Sequence, residues 1–413
     1  MNRRVVVTGY GVVSPVGNGI DKYWHSLIAG KSGVSKITQF DTTGFDSAIA
    51  GEANDFVPPP YFTSKDLLRV PRFIQFAMRA SDEAIEMAKL NTESMDPYRA
   101  GTVIGSGVGS LETIEDEYMT LLEKGPRKLS PFLIPRIITN EAAGHVAIHH
   151  KLKGPNFCTV TACASGAHAI GESFWAIRCG RADVMVCGGT EASVVKTATG
   201  GFIAIKALCK KYNDNPQKAS RPFDLDRCGF IMAEGAGTIV LEEYEHAKKR
   251  GVPILAELAG YGATCDAHHV TAPDPEGTPA SKAIETALGM GGVSKDDYLY
   301  INAHGTSTKL NDKMETNAIK LALGKNAYKI NISSTKSMTG HTIGAAGAIE
   351  FIAACLAIRN KVIPPTINYE TPDPDCDLNY TPNKAVERDV KVALSNSLGF
   401  GGHNATLLIR EFK

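Results

Sequence analysis

The fold of this chain is decided by the segment Phe157-Cys158-Thr159-Val160-Thr161-Ala162-Cys163-Ala164-Ser165-Gly166. Residues 157–162 form an apolar and β-branched run that predicts a strand. Residues 165–179 predict a helix that ends before Gly180 and has an apolar stripe of Ile170, Phe174 and Ile177. Cys163 therefore lies at a strand-to-helix turn.

Cys163 is a candidate nucleophile because of this position. Free amide groups and the positive end of a helix dipole favour a thiolate, so we expect a pKa below the free-thiol value of about 8.5. The alternative is a small buried hydrophobic residue, which is what a free cysteine commonly is. Residues elsewhere in the chain have to decide between the two.

Two histidines and one glycine-rich loop supply that support. His304 lies in Asn302-Ala303-His304-Gly305-Thr306-Ser307-Thr308, and His341 ends Ser334-Thr335-Lys336-Ser337-Met338-Thr339-Gly340-His341. Each histidine follows an extended run and has a glycine beside it. The loop, at residues 396–404, joins two predicted strands, and its glycines can turn backbone N–H groups toward an oxyanion.

In this order, the three segments resemble the β-ketoacyl-acyl carrier protein synthases, the condensing enzymes of fatty acid synthesis, and in detail their elongating type II. The resemblance covers the whole chain, from Arg4-Val5-Val6-Val7-Thr8-Gly9 through Arg221-Pro222-Phe223-Asp224 to the glycine-rich loop. The chain departs from the family pattern at Cys228, where aspartate is usual, and at Ala233, where glycine is usual.

The resemblance implies a thiolase-like α/β fold with five layers, α-β-α-β-α, built from two pseudo-symmetric halves. We place the nucleophile in residues 1–250, and the histidines and glycine-rich loop in residues 251–413. An internal duplication also follows from the sequence, since residues 159–179 recur as residues 332–358. In that repeat we match Gly344 with Gly166.

The implied activity is an acyltransferase reaction, the decarboxylating Claisen condensation of an acyl group on Cys163 with malonyl-acyl carrier protein. Backbone N–H groups of Cys163 and Phe400 would bind the oxyanion, and Phe400 would act as a gate. Neutral His304 and His341 would hold the enolate.

Two pairs of charged residues accompany the histidines. Lys336 lies in an uncharged segment and needs a partner if it is buried, for which Glu350 is the candidate. By resemblance this pair supports the histidines, although Glu350 could instead meet a structural monovalent cation or water. We interpret Asp312 and Glu315 first as a helix capping box and second as outer residues of the site.

Substrate contacts follow from the resemblance as well. Thr306, Thr308 and Thr271 would bind the phosphopantetheine arm, while Phe202 and Val108 would line the acyl pocket, with an ordinary aromatic core as the alternative for Phe202. The partner is acyl carrier protein, which is acidic, so a basic rim is predicted from Lys65, Arg69, Arg127, Lys128 and Lys206. The resemblance implies no cofactor and no metal at the reacting atoms. It also implies that the protein is a homodimer.

Composition narrows the class of protein. The 413 residues carry 44 acidic and 44 basic side chains, and this zero net charge argues against nucleic acid as a partner. We expect neither a signal peptide nor a membrane span, and therefore a cytoplasmic protein, with a plastid location left open. The nine cysteines show no C-x-x-C spacing, which argues against a zinc site or a disulfide framework.

Three other functions are alternatives to the condensation of fatty acid synthesis. A thiolase would carry a second cysteine near the C-terminus, and residues 399–404 contain none. A non-catalytic chain-length factor would lack the nucleophile. A polyketide-type ketosynthase could keep the same Cys-His-His site, and it stays the alternative.

Overall fold

Strands and helices alternate along most of the chain, and the computed structural model describes residues 3–413. The strands are β1 (Val5–Ser14), β2 (Gly17–Asn18), β3 (Val34–Lys36), β4 (Ile49–Gly51), β5 (Ala100–Gly105), β6 (Asn156–Phe157), β7 (Val184–Glu191), β8 (Gly235–Glu243), β9 (Ala256–Cys265), β10 (Tyr300–Asn302), β11 (Asn331–Ser333), β12 (Val362–Ile363), β13 (Val386–Glu387), β14 (Val392–Gly399) and β15 (His403–Arg410).

The helices are α1 (Ile20–Ile28), α2 (Ser64–Arg69), α3 (Arg72–Met87), α4 (Leu111–Lys124), α5 (Leu133–Ile137), α6 (Glu141–His150), α7 (Ser165–Arg178), α8 (Lys196–Ala204), α9 (Tyr244–Arg250), α10 (Thr278–Gly291), α11 (Lys309–Leu323), α12 (Lys336–Thr339) and α13 (Ala346–Asn360).

The main strands pair in the order β11-β10-β14-β15-β9-β1-β8-β7-β5-β6. When the five strands of each half are counted along the chain, both halves have the order 3-2-4-5-1. The halves meet where β1 and β9 pair antiparallel. This repeated order is the internal duplication expected from the sequence. The domain bounds 1–250 and 251–413 stay a prediction.

Helices cover and separate the two halves of the sheet. Helix α3 packs on β1 and β8, α10 packs on β9 and β15, and α7 and α13 lie between the halves. A Cβ added to Gly347 would come within 2.8 Å of the Ala167 side chain, so glycine lets these central helices approach closely. The expected five layers, α-β-α-β-α, are confirmed.

The repeat aligns differently from the sequence-based match. Turns of 3₁₀ helix, Ala162–Ala164 and Ile343–Ala345, precede α7 and α13. Ala162 and Ile343 both have positive φ, 50° and 49°. Gly344 therefore corresponds to Cys163, and its predicted match with Gly166 is wrong by three residues.

The strand predicted over residues 157–162 is also wrong in extent. Only Asn156–Phe157 pairs, with Thr102 and Val103. Thr159 donates its hydroxyl to the carbonyl of Ser165 at 2.8 Å, because the chain has already turned back toward the helix. The predicted helix is confirmed, ending at Arg178, with Gly180 at φ 73° after it.

One helix has the length and composition of a membrane span. Residues 343–360 are long and apolar enough to cross a bilayer, with a mean hydropathy of 1.4, although no such stretch was expected. In the structure 89% of this segment is buried inside the protein. Its apolar surface is thus covered by the two halves of the sheet, as in the core helix of a globular protein.

Candidate active site

The nucleophile turn is held in an uncommon backbone conformation. Ala162, immediately before Cys163, has φ 50°, a left-handed conformation that costs a non-glycine residue about 1–3 kcal/mol. The Ser165 hydroxyl accepts from the N–H of Thr161 at 2.9 Å and donates to the carbonyl of Ala162 at 2.7 Å. These bonds fix the turn that places Cys163 at the start of α7.

The glycine-rich loop lies directly over this turn. A Cβ on Gly399 would stand 2.7 Å from the carbonyl of Thr161 and 3.2 Å from the backbone nitrogen of Cys163. The next residue, Phe400, donates its backbone N–H toward the Cys163 sulfur. The structure thus brings the two predicted oxyanion donors, the N–H groups of Cys163 and Phe400, to one place.

The expected lowering of the Cys163 pKa is wrong. Burial raises the pKa of this thiol to about 12, although the Lys336 ammonium and the Phe400 N–H act in the opposite direction. Loss of hydration therefore outweighs both of these opposing effects. The resting group is a neutral thiol.

A neutral resting thiol predicts the pH dependence of alkylation. Below its pKa, the thiolate fraction of Cys163 grows about tenfold per pH unit, so we expect the rate of its reaction with iodoacetamide to rise steadily from pH 7 to pH 10. Peptide mass spectrometry measures this rate, with the exposed Cys179 as internal reference. A plateau below pH 8 would instead mean a resting thiolate.

Both histidines reach the thiol. The sulfur of Cys163, a ring nitrogen of His304 and one of His341 lie within 4.8 Å of one another. The imidazole rings are perpendicular, with centroids 5.3 Å apart, and both residues are 2% exposed. Three residues distant in sequence thus form one cluster.

Hydrogen bonds set the tautomer of each histidine. The Lys336 Nζ lies 3.3 Å from His304 Nδ1, and the backbone N–H of Ile343 donates to His341 Nδ1 at 3.3 Å. Because both Nδ1 atoms accept, the proton of each ring resides on Nε2. Burial and the charge of Lys336 lower both pKa values well below the usual value, so both rings are neutral donors at pH 7.

Lys336 connects the site to the core. Its side chain is 1% exposed and forms an ion pair with Glu350, whose side chain is 3% exposed. Burial raises the pKa of Glu350 to about 7, and the nearby ammonium limits that rise. The same ammonium contacts His304, so the carboxylate, the lysine and the first histidine form one chain of polar contacts.

The capping-box interpretation of Asp312 and Glu315 is wrong. Helix α11 begins at Lys309, where the Thr308 hydroxyl accepts from the N–H of Asn311. Glu315 lies inside the helix and accepts the backbone N–H groups of His304 and Gly305, both at 2.8 Å. It therefore positions the histidine loop, the second of the two predicted roles.

Glu191 is a buried group that the sequence analysis missed. Its carboxylate, at the end of β7, accepts the N–H of Gly107 at 2.7 Å, the hydroxyl of Ser106 at 3.0 Å and the N–H of Gly344 at 3.1 Å. Burial raises its pKa to about 7. An acid closing an apolar strand was the signal that could have revealed it.

A cavity of about 380 Å³ opens beside the cluster. Its wall includes Cys163, His304 and His341 and several predicted substrate residues, namely Phe202, Lys206, Thr271, Thr306, Thr308 and Phe400. The Phe202 ring packs 5.1 Å from that of Phe230. Val108 does not line this cavity, and its N–H donates to Glu191 at 3.4 Å instead.

The predicted basic rim is dispersed. Lys206 lines the cavity, as does Lys309, which was not predicted. The other four predicted residues are exposed but, within the described part of the chain, lie outside the cavity lining: Lys65, Arg69, Arg127 and Lys128. Arg69 stacks 4.7 Å above the ring of Phe132.

One disulfide contradicts the expectation from cysteine spacing. Cys209 and Cys228 are bonded, 19 residues apart, with Cα atoms 4.9 Å from each other. They meet because Leu208 and Phe230 form an isolated parallel bridge, a long-range pairing that no spacing rule predicts. Cys228 is also the residue that departs from the family pattern.

Family models match nearly the whole chain. The model of the β-ketoacyl synthase N-terminal domain matches residues 2–247, and that of the C-terminal domain matches residues 255–370. The chain is 49% identical over 411 residues to 3-oxoacyl-[acyl-carrier-protein] synthase 2 of Synechocystis sp., covering 100% of this chain and 99% of that one. It is 46% identical over 412 residues to the Staphylococcus aureus synthase of the same name, with the same coverage.

Solved structures agree with these matches. A type II polyketide ketosynthase in complex with its acyl carrier protein is similar at a TM-score of 0.93 and 39% identity, covering 100% of both chains. A β-ketoacyl synthase from Burkholderia phymatum is similar at a TM-score of 0.92 and 33% identity, also over 100% of both chains.

Proposed function

The chain belongs to the β-ketoacyl synthase family, and we propose that it elongates fatty acyl chains by two carbons, as a 3-oxoacyl-[acyl-carrier-protein] synthase of type 2. The observation that carries this is the cluster of Cys163, His304 and His341 in one cavity, with both imidazoles neutral. It offers one nucleophile and two N–H donors, which is what a decarboxylating condensation needs.

In the first half-reaction the Cys163 sulfur attacks the thioester carbonyl of an acyl-carrier protein. Negative charge moves to the carbonyl oxygen, where the N–H groups of Cys163 and Phe400 stabilise it by about 3 kcal/mol each. The carrier thiolate then leaves and is protonated, which balances the proton that the Cys163 thiol loses. The product is the acyl-enzyme.

In the second half-reaction malonyl-carrier protein enters the same cavity. Its carboxylate leaves as carbon dioxide, and the electron pair of the broken bond forms an enolate on the thioester oxygen. The Nε2–H groups of His304 and His341 donate to that oxygen. The α-carbon then attacks the acyl carbon, and the Cys163 thiolate is expelled as the β-ketoacyl product forms.

A polyketide-type ketosynthase is the second candidate, because a ketosynthase of that kind has the same fold at 39% identity. Higher identity to the type 2 synthases, 46–49%, favours fatty acid elongation. Mass spectrometry of carrier-bound products from one acyl primer and excess malonyl-carrier protein tests this. A product lengthened once supports elongation, whereas repeated unreduced extension supports the alternative, and no product overturns both.

We propose acyl carrier protein, in its acyl- and malonyl-loaded forms, as the partner. We expect it to contact Lys206 when it binds. Replacing Lys206 with glutamate should raise KM for the acyl-carrier substrate about threefold or more, with little change in kcat, because a rim charge acts on encounter with an acidic partner. The difference should shrink as salt increases. Lys384→Glu, an exposed position outside the cavity lining, is the matched control and should leave KM unchanged.

We propose that a structural monovalent cation also binds behind the histidines. The buried side-chain oxygen atoms without a hydrogen-bond partner in the described residues include four on β10, α13 and β14: Asn302 Oδ1, Glu350 Oε2, Ser395 Oγ and Ser397 Oγ. Asn302 and Ser395 are paired in neighbouring strands, and the Asn302 amide donates to the carbonyl of Glu350 at 3.4 Å. Buried orphan oxygens of this kind call for an ion or water.

The proposed cation should stabilise the folded protein. Potassium should raise the melting temperature relative to equal concentrations of tetramethylammonium, since a ligand that binds only the folded state stabilises it. Differential scanning calorimetry measures this, and Ser395→Ala should weaken the potassium dependence. Equal melting temperatures in both salts would leave water as the occupant.

The homodimer stays a proposal, supported by exposed apolar side chains on α4, α5 and their connection: Ile114, Tyr118, Met119, Leu122, Phe132 and Ile134. Helices α4 and α5 contact each other, and exposed apolar side chains on neighbouring elements are typical of an interface. Strand β6, at the end of the sheet, also leaves an open edge. The cytoplasmic location stays a prediction.

A further inference from the structure

The disulfide between Cys209 and Cys228 joins two segments of the cavity wall. The N–H of Cys209 donates to the carbonyl of Phe230 at 3.1 Å, and the N–H of Phe230 donates to that of Ala207 at 3.0 Å. Cys209 is fully buried, whereas Cys228 is partly exposed and lines the cavity. Cys228 is therefore the half of the bond that borders the space that substrates enter.

This wall touches the catalytic cluster. The ring of Phe230 lies 5.3 Å from that of His341 and 5.1 Å from that of Phe202. The N–H of Gly229, between Cys228 and Phe230, donates to the carbonyl of Ser307 in the His304 loop at 3.1 Å. Cys228 is thus two residues before Phe230, whose ring packs against His341. It is also next to Gly229, which contacts the loop of His304.

The segment that the disulfide closes makes two more contacts with the same loops. The Ser220 hydroxyl donates to the carbonyl of Lys336 at 2.7 Å, and the N–H of Arg221 donates to the Ser307 hydroxyl at 3.0 Å. Closing residues 209–228 with a covalent bond limits their freedom. Opening that bond would loosen the wall and its contacts with both histidine loops.

We propose that Cys209–Cys228 is a thiol–disulfide exchange site whose state controls the acyl cavity. A small thiol that enters the cavity attacks the Cys228 sulfur as thiolate, and Cys209 leaves as a thiolate that takes up a proton. A second thiol attacks the resulting mixed disulfide. Two small thiols are thereby oxidised to one disulfide while the protein disulfide is reduced to two thiols, and a low-molecular-weight disulfide reverses the exchange.

The direction of attack follows from exposure. Labile disulfides are the accessible ones, and the buried Cys209 is shielded from solvent while Cys228 faces the cavity. Reduction should lower the melting temperature and slow the acylation of Cys163 severalfold, because Phe230 and Phe202 then pack less firmly beside the thiol.

Peptide mass spectrometry after alkylation tests the site directly, in protein prepared without reductant. Dithiothreitol at pH 7.5 should reduce the bond before the protein unfolds, so that iodoacetamide then alkylates Cys209 and Cys228. Oxidised glutathione should restore the bond and remove that reactivity. The melting temperature is compared in the two states. Neither readout depends on the proposed condensation, so failure of that function leaves this test intact.

Reductants and oxidants also affect the catalytic thiol. Variants therefore separate the effect of the disulfide on acylation from the effect of that thiol. Cys228→Ser should acylate Cys163 at the slow rate of the reduced protein, with no response of that rate to dithiothreitol. Cys179→Ser, a change at an exposed free cysteine, should behave as wild type. Two free thiols after treatment with oxidised glutathione, or equal melting temperatures and acylation rates in both states, would overturn the proposal.

Discussion

Replacing Cys163 with alanine should abolish the acyl-enzyme and lower the condensation rate by about four orders of magnitude or more, as loss of a covalent nucleophile does. The sulfur of Cys163 lies within 4.8 Å of ring nitrogens of both histidines. The other cysteine that lines the cavity within the described residues, Cys228, is held in a disulfide. No substitute thiol is therefore in place. Intact-protein mass spectrometry after incubation with acyl-carrier protein measures the adduct, and single-turnover product analysis measures the rate.

The matched control is Cys158→Ala, a partly buried free cysteine in the same segment. It should acylate and condense as wild type does, because its thiol does not line the cavity. Acylation of Cys163→Ala at the wild-type level would contradict the assignment. An adduct that forms on wild type but is not discharged by malonyl-carrier protein would keep the nucleophile and exclude the condensation.

The parts of the site set by local sequence were predictable. The helix after Cys163 follows from its apolar stripe and from Gly180, and the structure ends it one residue earlier than predicted. The two histidine loops were recognisable because each follows a strand and carries glycine. Local patterns of this kind act within one turn or strand, where spacing alone determines which side chains share a face.

Long-range contacts were not predictable from those patterns. Glu191 and Glu315 hold loops through backbone N–H groups, and sequence spacing does not show which loop comes near an acid. The same holds for Cys209 and Cys228, which meet through a bridge between Leu208 and Phe230. The Cys163 pKa was misjudged for a related reason, since burial depends on the whole fold whereas the helix dipole is local.

Replacing Lys336 with methionine should destabilise the protein by about 3–5 kcal/mol at neutral pH, because it leaves the Glu350 carboxylate buried without its partner. It should also lower condensation by about 10²–10³-fold. His304 loses the donor that holds its proton on Nε2, and removing one such oxyanion donor has an effect of that size. Chemical denaturation and single-turnover kinetics measure the two effects.

The sign of the pH dependence identifies Glu350 as the source of the instability. Without Lys336, burial should raise the Glu350 pKa further above its ordinary value of about 4.3, so the folded state binds the proton more tightly than the unfolded state. The stability deficit of the variant should then be small near pH 4.5, grow as pH rises, and be complete above the folded-state pKa. A deficit that does not change with pH would point to lost packing of the lysine stem instead.

The double variant Lys336→Met/Glu350→Gln separates stability from catalysis. Glutamine removes the buried charge, so the double variant should recover most of the lost free energy of unfolding. It restores no donor to His304 Nδ1, and the condensation rate should stay low. If stability and the condensation rate both recover, Lys336 acts on the site only by stabilising the fold. If stability alone recovers, Lys336 also orients His304.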